Sequence, residues 1–269
     1  MKPRRQPVIG QDRGFCRICG LEAGLTEDHV PPKRSGNLGP VSISYGSNTV
    51  QSSNGMFYKT ICARCNNEVL GSRCDPEYNR VMKDAAGYVS NLRMYPFRYL
   101  QIKANGELLL RSILGHLLAA SIPEHKVEWL SSPTDYSPFY ETIRKFVLSE
   151  GHLGPNIECF YWLHAEPMTR IVQYFGNAPN VVNSSTDRVF GSTFKSYPVA
   201  FWFVDAVSSS IQPTSFARLT EDPVTTLRLD VRQRYHYAFP EIPTQNGMVI
   251  YSSNSVVESK KRIARRGPT

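Results

Sequence analysis

Two short cysteine pairs, Cys16-Arg17-Ile18-Cys19 and Cys62-Ala63-Arg64-Cys65, enclose the segment Glu27-Asp28-His29-Val30-Pro31-Pro32-Lys33, and the second pair runs directly into Asn66-Asn67. A CxxC turn aims two thiolates at one point, and two such turns a loop apart suit one tetrahedral ion. Cys16, Cys19, Cys62 and Cys65 are therefore predicted to hold a structural Zn²⁺. Disulfides are the alternative in an oxidising compartment, while a thioredoxin-like redox motif would leave one pair unexplained. Four thiolates leave the ion with net negative charge, which Arg17, Arg64 and Lys59 are placed to offset. Cys74 and Cys159 read as small buried apolar residues.

The texture of the chain changes along its length. From Gly14 to about Asn91 it is polar and rich in Gly, Ser and Asn outside the knuckles, and Gly36 to Gly55 reads as one long loop. A zinc ion would replace the core that this segment lacks. Asp75-Pro76-Glu77 is a helix start, with Asp as N-cap and Pro in the first turn, and Tyr78, Val81, Met82 and Ala85 follow at helical spacing. From about Arg93 longer apolar runs set in. Tyr99–Ile102 and Leu108–Leu110 read as strands around an Asn105-Gly106 hairpin turn. Leu110–Ala120 and Phe139–Leu148 read as helices. Strands are predicted at Ile157–Leu163, Arg170–Phe175, Tyr197–Val204, Phe216–Leu219 and Thr225–Val231, so the second part is α+β with a sizeable, mainly antiparallel sheet. His116 and His164 fall inside apolar runs and read as satisfied core or rim histidines.

Composition bounds the partners. The 269 residues are 41% hydrophobic and 20% charged, with mean hydropathy −0.33, and no apolar run approaches the roughly 20 residues that span a bilayer. Met1 to Arg13 lacks the apolar stretch of a secretory signal, so a cytosolic location is expected. A net charge of +8 and a pI near 9.2 favour polyanionic partners. Part of the excess is local: Lys260, Lys261, Arg262, Arg265 and Arg266 lie between Ser259 and Thr269 with no acid among them. This stretch is either a solvated, frayed tail or an arm that contacts phosphates.

The ordered set Cys16, Cys19, Asp28, His29, Pro31, Cys62, Cys65 and Asn66 resembles the HNH endonucleases, in the zinc-stapled branch of the ββα-metal nucleases. Their pattern is CxxC, an acid-His pair followed by proline, then CxxC directly followed by His or Asn. The resemblance covers about a quarter of the 269 residues. It implies a small zinc-stabilised ββα-metal domain at 1–91, followed by an α+β domain at 92–269 that selects the target, a partner or an oligomeric state. It also implies metal-dependent cleavage of phosphodiester bonds, with DNA favoured over RNA because the family mostly cuts DNA. One position departs from the pattern: the middle Asn of the motif falls at Phe57, and Asn48 and Asn54 are the nearest substitutes.

The residue chemistry points the same way. Phosphodiester hydrolysis needs an activated water and positive charge at the phosphoryl oxygens. Asp28 is a hard oxygen ligand suited to Mg²⁺ or Mn²⁺, with Ni²⁺ a further candidate. His29 titrates near neutrality when unperturbed and is the expected general base, since four cysteines leave no vacancy for it on the zinc. Asn66 would offer its amide oxygen to the catalytic metal or else cap the knuckle backbone. Lys33 and Arg34 are either phosphate contacts or exposed loop cations. Two rival readings follow: a zinc-stabilised recognition module without activity, and a nuclease effector of bacterial defence, triggered when its second domain senses a ligand or protein. A homodimer would permit paired cuts.

Overall fold

The computed structural model describes residues 8, 10–91, 97–121, 138–179, 189–209, 216–233, 235–241, 247–250 and 256–261. In chain order its strands are β1 (Arg13–Phe15), β2 (Glu22–His29), β3 (Val41–Tyr45), β4 (Asn48–Ser52), β5 (Phe57–Cys62), β6 (Tyr99–Ala104), β7 (Ile157–Leu163), β8 (Met168–Pro179), β9 (Val189–Ser196), β10 (Val199–Asp205), β11 (Ala217–Leu219), β12 (Thr225–Asp230), β13 (Gly247–Ile250) and β14 (Val256–Lys261). The helices are α1 (Asp75–Ser90), α2 (Gly106–Ala120) and α3 (Pro138–Val147), and a π-helix, Cys65–Cys74, leads straight into α1. The fold is α+β. A nine-stranded sheet runs β11-β7-β10-β9-β8-β14-β3-β4 with β13 also on β8; β1-β2-β5 and β12-β6 form smaller sheets.

β7 and β10 are buried at every position, which follows from both faces of the large sheet being covered. Cys159, Tyr161, Leu163, Phe201 and Phe203 join the core shared with the helices. Their neighbours Phe160, Trp162, Ala200 and Trp202 face an aromatic layer completed by Phe216, Tyr235 and Phe239. α2 is buried over most of its length, because its apolar run lies against α1, α3 and the π-helix. A Cβ at Gly115 would come within 2.4 Å of Leu70 Cδ2, so glycine there is what lets α2 approach the π-helix.

Several expectations are corrected. Asn105-Gly106 is not a hairpin turn: Asn105 accepts a 3.0 Å hydrogen bond from Leu108 N through its side chain and caps α2, so Leu108–Leu110 is helical. β6 pairs instead with β12. The stretch Gly36–Gly55 contains the β3–β4 hairpin, and that hairpin belongs to the large sheet through β14. One apolar cluster contains residues from both sides of residue 91, from Val8 to Val257. Ser259, Lys260 and Lys261 form the end of β14, between β3 and β8, rather than a tail. Arg262, Arg265 and Arg266 lie outside the described residues.

β9 escapes the sequence reading because its inward side chains are partly polar. Lys195, wholly buried, donates to Tyr237 O, Phe239 O and Glu241 Oε2 at 2.9, 2.9 and 2.7 Å. Glu241 also accepts from Thr193 Oγ1 at 2.6 Å and Arg170 Nε at 3.1 Å. Burial pulls the Lys195 ammonium down to about 8, against the opposing pull of Glu241. Removing one member of a buried ion pair strands the other, at a cost of about 3–5 kcal/mol. Lys195→Met is accordingly expected to lower the urea-unfolding free energy by about that amount; a variant as stable as the wild type would contradict it.

Candidate metal centre and adjoining polar site

The turn after β1 carries Cys16 and Cys19, and the end of β5 and the start of the π-helix carry Cys62 and Cys65. Their four Sγ atoms lie within 4.8 Å of one another, with Cys19 and Cys62 3.8 Å apart. A zinc ion with Zn–S bonds of about 2.3 Å sets tetrahedral sulfurs roughly 3.8 Å apart, so the cluster can hold such a metal. All six cysteines are free, and Cys74 and Cys159 are buried away from the cluster. Interaction with Cys65 draws the Cys16 thiol down to about 4 and drives Cys65 up, as expected where neighbouring sulfurs share their protons. The knuckle is clamped from outside. Arg17 donates to the main-chain oxygen and hydroxyl of Ser121 at the end of α2, and Arg144 of α3 donates to Ile18 O at 3.1 Å. Lys59 pairs with Asp12 at 2.7 Å, so its charge is met there.

β2 carries Asp28 and His29 beside this cluster. Between the pairs Thr26–Ile61 and Asp28–Tyr58 the register slips, β5 having one residue more than β2. Past the bulge Asp28 is 3% exposed and His29 half-buried. His29 Nε2 lies 3.0 Å from Asn54 O; a carbonyl can only accept, so Nε2 bears the proton and Nδ1 is the basic nitrogen. Burial holds the His29 imidazole below its usual value. Asn66 donates through Nδ2 to Thr26 Oγ1 at 3.0 Å and to Glu27 O at 2.9 Å, which leaves its amide oxygen as the end able to bind a cation.

Phe57 packs its ring against His29, with centroids 5.8 Å apart. Two asparagines near it hold the chain around His29. Asn54 acts through its main-chain oxygen. Asn37, which the sequence did not single out, is buried and ties the Pro31 loop to Met56: Nδ2 donates to Pro31 O and Met56 O at 2.8 and 2.7 Å, and Oδ1 accepts from Met56 N at 2.8 Å. Gly55 permits this, since a Cβ there would come within 2.4 Å of Asn37 Oδ1. Asn48 lies on β4 opposite Tyr45.

The largest addition is His116. It is a satisfied core histidine, but what satisfies it is the site: Nδ1 is 3.0 Å from Asp28 Oδ2 and Nε2 3.0 Å from Asp75 Oδ1, which also accepts from Ser112. Burial opposes its charge, yet the two carboxylates prevail and raise it to about 10. Asp75 thus serves α2 rather than capping its own helix. His164, by contrast, has no partner for Nε2 among the described residues, and burial lowers it to about 4.

Lys33 and Arg34 are exposed on a short 3₁₀ turn after the Pro pair. Lys261 lines a small cavity with Pro31, Ser35 and Asn37, so the end of β14 lies beside the same loop. Lys260 sits 3.4 Å from Glu258, which meets its charge. No family model, curated protein or solved structure matches the chain. No described helix is long and apolar enough to cross a membrane.

Two outcomes follow. The purified chain is expected to contain one zinc, lost in Cys16→Ser and Cys65→Ser and on chelation, with unfolding of the knuckle; elemental analysis of folded, reduced protein showing no metal would refute this. His116→Leu leaves Asp28 and Asp75 buried without their cation and is expected to cost about 3–5 kcal/mol in chemical denaturation. A neutral effect there would mean that the link is not structural.

Proposed function

We propose that the chain is a metal-dependent endonuclease of the HNH type, acting on nucleic acid, with DNA as the favoured substrate. The observation that carries this reading is an oriented imidazole at the end of β2, preceded in sequence by the Asp28 carboxylate, with the Asn66 amide bonded to the same strand. His29 presents Nδ1 while Asn54 O holds Nε2, Asp28 precedes it, and Asn66 is bonded to the peptide that leads into Asp28. The donors suit a hard divalent cation such as Mg²⁺ or Mn²⁺: Asn66 has its amide oxygen to give, and Asp28 keeps one carboxylate oxygen beyond the one that faces His116. When bound, the cation supplies positive charge at the phosphoryl oxygens.

The chain's own contribution is the base and the grip on the strand. His29 Nδ1 takes a proton from a water whose oxygen bonds to phosphorus; the bond from phosphorus to the 3′-oxygen breaks, and the leaving oxygen is protonated from solvent. Lys33, Arg34 and Lys261 border the loop that follows His29 and would meet the backbone of a strand, with Arg262, Arg265 and Arg266 extending the same charge along the sequence. The burial of Asp28 against His116 favours one rival, a zinc-stabilised recognition module in which Asp28 is purely structural.

Plasmid incubated with the zinc-containing protein and Mg²⁺, Mn²⁺ or Ni²⁺ separates the two. The nuclease reading expects cleavage, slowed at least about 100-fold by His29→Ala, which should still fold and keep its zinc. Asn66→Ala should raise the divalent-cation concentration needed. Undiminished cleavage by His29→Ala would remove the base assigned here, and binding of DNA without cleavage in any metal would favour the recognition module.

A further inference from the structure

The β6–β12 ribbon does not close onto the large sheet along its whole length. Between it and the β7–β11 edge lies a cavity of about 560 Å³, within the range of small-molecule sites. Its walls differ in chemistry. On one side Trp162, Phe216 and Tyr235 form an aromatic surface, with ring centroids 5.5 to 6.3 Å apart. On the other, Arg98, Arg228 and Arg232 converge around Tyr99 and Asp230.

Strand alternation explains the second wall. Leu227 and Leu229 of β12 are buried, so Arg228 and Asp230 project from the opposite face, as Tyr99 does from β6, where it pairs with Asp230. Arg98 is occupied by Asp230 at 2.8 Å. Arg228 sits over Tyr99, its guanidinium carbon 3.8 Å from the ring centroid, and Arg232 stands in the following turn. Neither has a carboxylate within ion-pair distance among the described residues. A stacked guanidinium still presents its N–H edge, the edge that binds phosphate in bidentate fashion.

From this cavity we infer a second binding site, separate from His29, for a nucleotide: an aromatic base against the Phe216–Tyr235 surface and a phosphate on Arg228 and Arg232. Stacking platforms beside arginines are what a base carrying a phosphate requires. A purely apolar ligand would leave these two cations facing it, and a simple anion would leave the aromatic surface unused. The base and phosphate can come from a free nucleotide or from one unit of a single strand. The site does not depend on the nuclease reading, since it shares no residue with Asp28, His29 or Asn66.

The test is calorimetric titration of the full zinc-containing chain, without added divalent cation, with AMP, with adenosine, with inorganic phosphate and with a short oligothymidylate. AMP should bind more tightly than adenosine or phosphate, and Arg228→Gln and Arg232→Gln should each weaken it about tenfold or more while leaving the melting temperature unchanged. Oligothymidylate binding with the same arginine dependence, in the absence of AMP binding, would assign the site to single strands and equally support it. Failure of both ligands to bind, or binding indifferent to both arginine variants, would overturn the inference.

Discussion

The convergence of Cys16, Cys19, Cys62 and Cys65 sets the geometry on which the candidate site depends. It joins the turn after β1 to the junction of β5 and the π-helix, and Asn66 is the residue next to that junction. Closing the four sulfurs therefore also brings the Asn66 amide to Thr26 and Glu27 on β2. Contrary to the sequence expectation, this stretch does not lack a core: Ile18, Leu25, Tyr58, Ile61 and Leu70 are buried in the same apolar cluster as α2, and a bound metal would add its binding energy to that packing.

A second constraint ties the knuckle to that core. His116, on the buried helix α2, holds Asp28 of β2 and Asp75 of α1 at once. A charge between two carboxylates in the interior is favourable only because each partner is fixed in place. Thr60 and Arg17 donate to main-chain oxygens at the end of α2, and Arg144 of α3 donates to Ile18, so the small sheet is set against α2 and α3 and does not stand apart. The position of the Asp28 carboxylate is thereby determined by a residue 88 places away in the chain.

What the sequence disclosed and what it hid divide along the range of the interactions. The CxxC spacing is a local property, and the clustering of the four sulfurs follows it. The strands β7 and β10, apolar at nearly every position, were equally legible. Asn37 was not, nor were the partners of Asn54 and His116, because these roles join distant parts of the chain: one ties two loops, one acts through a main-chain oxygen, and one reaches across from another helix. Asn105-Gly106 misled because an Asn side chain serves a turn or a helix cap with the same atoms, and only the partner Leu108 N decides. β9 was missed because Lys195 and Thr193 break its apolar alternation, and their partner Glu241 lies far along the chain.

The proposed function requires a second, oxygen-ligated cation site beside the sulfur cluster, between Asp28 and Asn66. Titration of the zinc-loaded protein with Mn²⁺, followed by electron paramagnetic resonance, tests it most directly. The account predicts one bound Mn²⁺ per chain, with affinity lost in Asn66→Ala while zinc is retained. Absence of bound Mn²⁺ in the wild type, or equal binding by Asn66→Ala, would contradict it.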